Sequence, residues 1–193
     1  MKTLLFKPFE RYSEQKLLIA GLLFTFLGTY TAFAFGFRLD GVFDAHLSKD
    51  ISLLKVMLDA AINIFSLFFF LFIAAKIVNG KTRAIDILNG IMVSRLPLYL
   101  LTFFNINQWI GKSTDRIGQY TPNELIQHIN PSDIWAIAIF GLVTIIFIVW
   151  LIALLYNAYK VACNAKGLKA TVLFIAALIL AEILSKVLIH NFN

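Results

Sequence analysis

Two residues carry the sharpest chemical signal in this sequence. Arg95 sits inside the apolar stretch "NGIMVSRLPLYLLTFF" (89–104), and Glu182 sits inside another, 168–190. An arginine at mid-bilayer costs about 2.5–3.5 kcal/mol even on the milder insertion scale, so it needs a partner. Counted from Ala84, Arg95 is 11 residues in, about 16 Å at the helical rise. Counted from Ala170, Glu182 is 12 residues in, about 18 Å by the same rise. The two helices ascend in the same direction, so the side chains are expected at nearly equal depth, facing the bundle interior as an ion pair. Lys186 lies one turn outward of Glu182, and Asp59 enters from the outer side of another span. The expected intramembrane polar network is therefore Asp59, Arg95, Glu182 and Lys186, with Arg95–Glu182 in the middle and Lys186–Asp59 above. Pro97 adds an acceptor. It has no N–H to give the carbonyl of Val93, which is left free near the guanidinium. Such a network either fixes which helices pack together or marks a solute path.

The elements that must position these groups follow from composition. Of 193 residues, 60% are hydrophobic and only 15% charged, against about 45–50% and about 25% in soluble domains. The apolar residues come in long blocks rather than amphipathic stripes, so the natural solvent is a bilayer. The net charge of +6 sits in short segments beside these blocks. It reads as topology rather than as a nucleic-acid surface. The single cysteine, Cys163, excludes a disulfide within the chain and reads as an inert small residue.

Read as a fold, the chain is an all-α polytopic transmembrane helix bundle: one membrane domain, 1–193, with spans at about 17–37, 56–75, 84–104, 134–156 and 168–190. The first block has a competing reading as a signal peptide ending at "AFA" (32–34), but it exceeds the usual ~7–15 apolar residues. In 38–55, Phe43, Leu47, Ile51 and Leu54 recur at helical spacing. That pattern fits either a short helix on the membrane surface or an extension of the second span. "KIVNGKTR" is a turn, with Thr82 expected to cap the third span and Asp86 in or near its first turn. The extramembrane loop, 105–133, holds a capping box of Thr121, Pro122 and Glu124, and "NPSD" opens the fourth span. This loop is the one surface large enough to fold and bind something outside.

Loop charge sets orientation. Lys2, Lys7, Arg11, Lys16, Lys76, Lys81, Arg83, Lys160, Lys166 and Lys169 make ten basic residues on one side, against five on the other. The N-terminus is expected in the cytoplasm and the C-terminus outside. Spans 2–3 and 4–5 also look alike: "AAKIVNGKTRA" and "AYKVACNAKGLKA" both join a descending to an ascending helix. They would form a parallel repeat, although the positive-inside rule produces such turns independently.

These two hairpins resemble the Yip family of integral membrane proteins. The likeness is carried by the turn "NGKTRAIDIL" followed by "SRLP", and by the "WLIALL" helix followed by "KGLKATVLFIAALIL". It covers roughly 17–190 and implies a five-span bundle with a cytoplasmic N-terminus. In eukaryotes the family is associated with Rab GTPases. This chain lacks the Asp-Leu-Tyr-Gly-Pro motif and a long cytoplasmic N-terminal region, which puts a Rab-type partner in doubt. It looks more like the bacterial members, which implies the cytoplasmic (inner) membrane.

Catalytic signatures are missing from the sequence. His46, His128 and His190 stand alone, with no zinc-protease motif. There is no G-x-S-x-G elbow, and "NGKT" (79–82) lacks the leading glycine of a phosphate loop. Asp59 and Asp86 lie near opposite membrane faces, too far apart to share a proton. The expectation is a protein that is not an enzyme, with no cofactor or metal. It would organise or recruit partners within the bilayer, whether other membrane proteins or a second copy of itself. The alternative is a small transporter or channel that uses the intramembrane charges.

Overall fold

The computed structural model of the chain describes residues 6–49, 51–121 and 130–192. After a 3-10 turn at Pro8–Glu10, helix α1 runs Glu14–Ala34. Phe37–Arg38 (β1) and His46–Leu47 (β2) pair as a short antiparallel ribbon. Then come α2, Leu53–Val78, α3, Ala84–Ser94, and α4, Leu96–Leu101. A 3-10 segment, Thr102–Gln108, leads to α5, Trp109–Gly118. The chain closes with α6, Pro131–Cys163, and α7, Gly167–Phe192. The architecture is an all-α bundle of five helical segments, each long and apolar enough to cross a membrane. The capping box at 121–124 falls largely outside the described residues.

The helix ends have local causes. Ser52 accepts the N–H of Lys55 and starts α2. Asn130 accepts the N–H of Ser132, with Pro131 at the first turn, and starts α6. Asn164 turns left-handed at φ 50°, and the N–H of Ala165 returns to the carbonyl of Lys160. That closes α6 in the usual C-terminal manner. Thr82 does not cap α3 as its position suggests. Its hydroxyl goes back to the carbonyls of Ala75 and Asn79, so it seals the end of α2. Arg83 is the residue that precedes α3.

α6 is longer than the sequence pattern indicates. Its 33 residues span about 50 Å, more than the roughly 30 Å hydrocarbon core. Its outer turns therefore project into the interface, or the helix tilts.

The α3–α4 segment is the central post. Most of its apolar window is buried, 72%, against 11–33% for the other four. Alpha helices 1, 2 and 6 pack around it, and α2 runs along α7. Small residues bring these backbones together. A Cβ on Gly90 would meet the Cβ of Ala158 at 2.6 Å, which sets the α3–α6 approach. Gly28 lies flat against the ring of Tyr99, which sets the α1–α4 approach.

The spacing in 38–55 does not make a surface helix: of its described residues only the last, from Leu53, are helical, as the start of α2. Phe37, Leu39 and Val42 are fully buried, and the ribbon folds back between the helices. Two features override the helical spacing. Gly36 turns the chain at φ 71°. Phe37 and Leu39 also alternate with Arg38 and Asp40 at the strand period, so one side of the segment is apolar. Against it pack Ala32 of α1, Val56 of α2 and Tyr99 of α4, forming a second small core at this end of the bundle.

Candidate functional site: a loop-capped polar centre

The polar residues of the spans converge on this re-entrant loop. Backbone that leaves regular structure at membrane depth must be satisfied by the protein, because lipid offers no hydrogen bonds. Asn63, ten residues into α2 and so about 15 Å along it, donates its amide to the carbonyl of Leu39 at 2.6 Å. Glu182 of α7 accepts the N–H of Phe43 at 3.1 Å. Arg95, at the break between α3 and α4, donates to the carbonyl of Val42 at 3.5 Å. Three helices therefore each meet one backbone group of the same loop.

Ion pairs clamp the loop's flanks. Arg38 forks onto Asp59, Nε to Oδ2 at 2.8 Å and Nη2 to Oδ1 at 3.2 Å. Lys186 pairs with Asp44 at 2.8 Å and lies 3.6 Å from Glu182. Gly41 fits where a side chain would not: a Cβ there would meet Glu182 Oε1 at 2.8 Å.

The four residues singled out in the sequence thus gather around one structure, but not in the expected pairs. Arg95 and Glu182 do not form an ion pair, and neither do Lys186 and Asp59. The physical reason is the loop. It brings its own charges, Arg38 and Asp44, and its own unpaired backbone groups to the same depth. Bidentate geometry for Asp59 and backbone satisfaction for Glu182 both compete with helix-to-helix pairing. The carbonyl of Val93 is not left for the guanidinium either, because it accepts the backbone N–H of Arg95 itself.

Arg95 is the least compensated group in the centre. It is fully buried. Beyond its bond to Val42, its guanidinium carbon lies 5.9 Å from the ring centre of Tyr99. Nε and Nη2 meet no partner among the described residues. The hydroxyls of Ser66 and Ser94 are also buried without one.

Sequence reasoning missed Arg38, Asp44 and Asn63 as members of this centre, and treated His46 as solitary. His46 Nδ1 lies 3.0 Å from Asp40 Oδ1. Asp40, Asp44 and His46 present ligand atoms within 4.8 Å of one another, a spacing visible as D-x-x-x-D-x-H. Asp44 also pairs with Lys186 at 2.8 Å, while Asp40 Oδ1 is buried and makes no hydrogen bond among the described residues. Farther out, Arg116 of α5 pairs with Asp133, at Nε to Oδ2 2.8 Å, and with Ser113. This pair seats α5 on the start of α6.

No family model, no curated protein and no solved structure matches this chain. The likeness to the Yip family rests on its hairpin residues alone.

Proposed function

We propose that this protein is a non-enzymatic, Yip-type membrane protein of the bacterial inner membrane that recruits a partner's transmembrane helix. In this reading the N-terminus is cytoplasmic. The observation that carries it is a bilayer-facing apolar cleft of about 590 Å³ between α1 and α2, with α3 at its floor. Leu22, Phe26 and Tyr30 line one wall, Met57 and Phe65 the other, with Ala60 and Ala61 between them. Small residues within the α2 wall, flanked by large ones, let another helix approach closely. The charges of the spans support the same reading, because most of them are spent on holding the 37–47 loop to the bundle.

The experiment is photocrosslinking in native membranes. A crosslinker at Phe26 or Met57 captures a discrete membrane-protein adduct, while one at Leu142, on the lipid-facing side of α6, does not. Equal, diffuse capture at all three positions rejects the cleft as a recruitment site.

A second reading, a small transporter, has one observation in its favour: the buried guanidinium of Arg95, whose Nε and Nη2 meet no partner among the described residues. Its test is solute uptake in proteoliposomes, lost in Arg95→Met.

A further inference from the structure

The end of the bundle opposite the re-entrant loop carries the short basic turns, and it holds a hollow that neither reading above uses. We propose that this hollow binds an anionic phospholipid by its phosphate. The hollow, about 610 Å³, lies between the N-terminal segment at Phe6–Glu10, the last turns of α6 and the turn at 164–166. Lys7, Lys160 and Lys166 surround it, with Glu10 as its one carboxylate.

The charges there are unequally spent. Lys7 lies 3.3 Å from Glu10. Neither Lys160 nor Lys166 makes a close ion pair among the described residues; Lys160 feels the Glu10 carboxylate only at longer range and rests over the ring of Tyr156 at 5.8 Å. The rim therefore offers a net positive charge to an anion. Glu10 is held in place by the side-chain amide of Asn157 at 3.2 Å. That bond first, and Lys7 second, keep its carboxyl below the ordinary 4.5. The other end of the same amide, Asn157 Oδ1, is buried and meets no donor among the described residues.

The shape selects a lipid over a soluble phosphate. Phe6 and Val161 make the rim partly apolar, and Ala153 lies deeper, toward the bundle. Ala153 lies ten residues before the end of α6, about 15 Å into the bundle. A phosphate at the rim would thus have glycerol and the start of an acyl chain beneath it. On the other side of the Pro8–Glu10 turn, an apolar groove of about 490 Å³ runs along Phe24, Leu100, Trp150 and Leu154, with Lys16 at its mouth. Basic hollows between transmembrane helices are a recurring way to hold acidic headgroups.

The test uses the full chain in detergent, with native mass spectrometry reading lipid retention. Dioleoyl phosphatidylglycerol, dioleoyl phosphatidylcholine and soluble glycerol 3-phosphate are titrated separately. Each lysine near an acidic lipid surface is worth roughly 1 kcal/mol, or about fivefold in affinity. The expected result is a preference for phosphatidylglycerol that falls about 25-fold in the double variant Lys160→Gln/Lys166→Gln by the same constants. Glu10→Gln should raise the preference, and Lys112→Gln, at the opposite end, should leave it alone. The opposed signs of the Lys and Glu variants separate a site from a folding defect. Equal retention of the two lipids, or a preference that survives the double variant, overturns the proposal. Full competition by glycerol 3-phosphate also overturns it and assigns the hollow to a soluble phosphate.

Discussion

Asp59 receives the Arg38 guanidinium on both its oxygens, so a carboxylate fully buried in α2 is neutralised by a residue of the preceding loop. This relationship fixes where the loop enters the bundle. Removing Arg38 takes the bidentate donor away from a fully buried carboxylate, a change of the kind that costs about 3–5 kcal/mol. Arg38→Ala is expected to destabilise the protein by that order in SDS titrations from mixed micelles. Arg38→Lys should recover only part of it, because an ammonium lacks the planar fork. A loss under about 1 kcal/mol for Arg38→Ala would place the pair among exposed, weak ones.

The separate commitments of Arg95 and Glu182 lead to a charge-swap result. Arg95→Glu and Glu182→Arg each disturb the loop, and the double swap does not rescue the single ones. Both residues grip the same peptide group, the Val42 carbonyl and the Phe43 N–H, so the two single effects are expected to depart from additivity by at least about 0.5 kcal/mol without restoring the wild-type yield. Recovery of folded yield in the double variant would instead restore the helix-to-helix ion pair. Arg95→Met, which removes a poorly compensated charge at similar length, is expected to be neutral or stabilising to the fold.

Gly28 and Tyr99 set the distance between α1 and α4. A methyl group at position 28 would run into the Tyr99 ring, which is itself buried. Gly28→Ala should cost about 1–3 kcal/mol, the usual range for overpacking. Combining it with Tyr99→Ala should cost less than the sum of the two by at least about 0.5 kcal/mol. Strict additivity in the same titration would mean that the two helices do not touch there.

Orientation is checked with an impermeant maleimide. Cys163 is buried, so it is replaced by serine and new cysteines are placed at the exposed positions 112 and 166. Lys112→Cys should label in intact cells, and Lys166→Cys only after permeabilisation. Labelling of position 166 alone in intact cells would reverse the topology.

How much of this was legible beforehand differs by element, for physical reasons. The helices of the bundle follow from local partitioning: each apolar block must leave water and satisfy its own backbone, and a helix does both without knowing its neighbours. So α1, α2, α6 and α7 could be read to within a few residues at most ends. The α3–α4 segment could be read apart from its break at Arg95, which Pro97 marked. The polar members Asp59, Arg95, Glu182 and Lys186 also stood out, because a charge inside an apolar block is visible without a fold. Their partners did not. Depth along a helix is a count of residues, but pairing depends on which helix faces which and on what else reaches that depth. The 37–47 segment combines helical and strand spacing, and its course was decided only when its backbone groups met Asn63, Arg95 and Glu182 from three different helices. The amino-acid sequence by itself determined that these charges must be sheltered. The tertiary structure decided that a loop, not another helix, shelters them, because only there could unpaired backbone and buried charge satisfy each other.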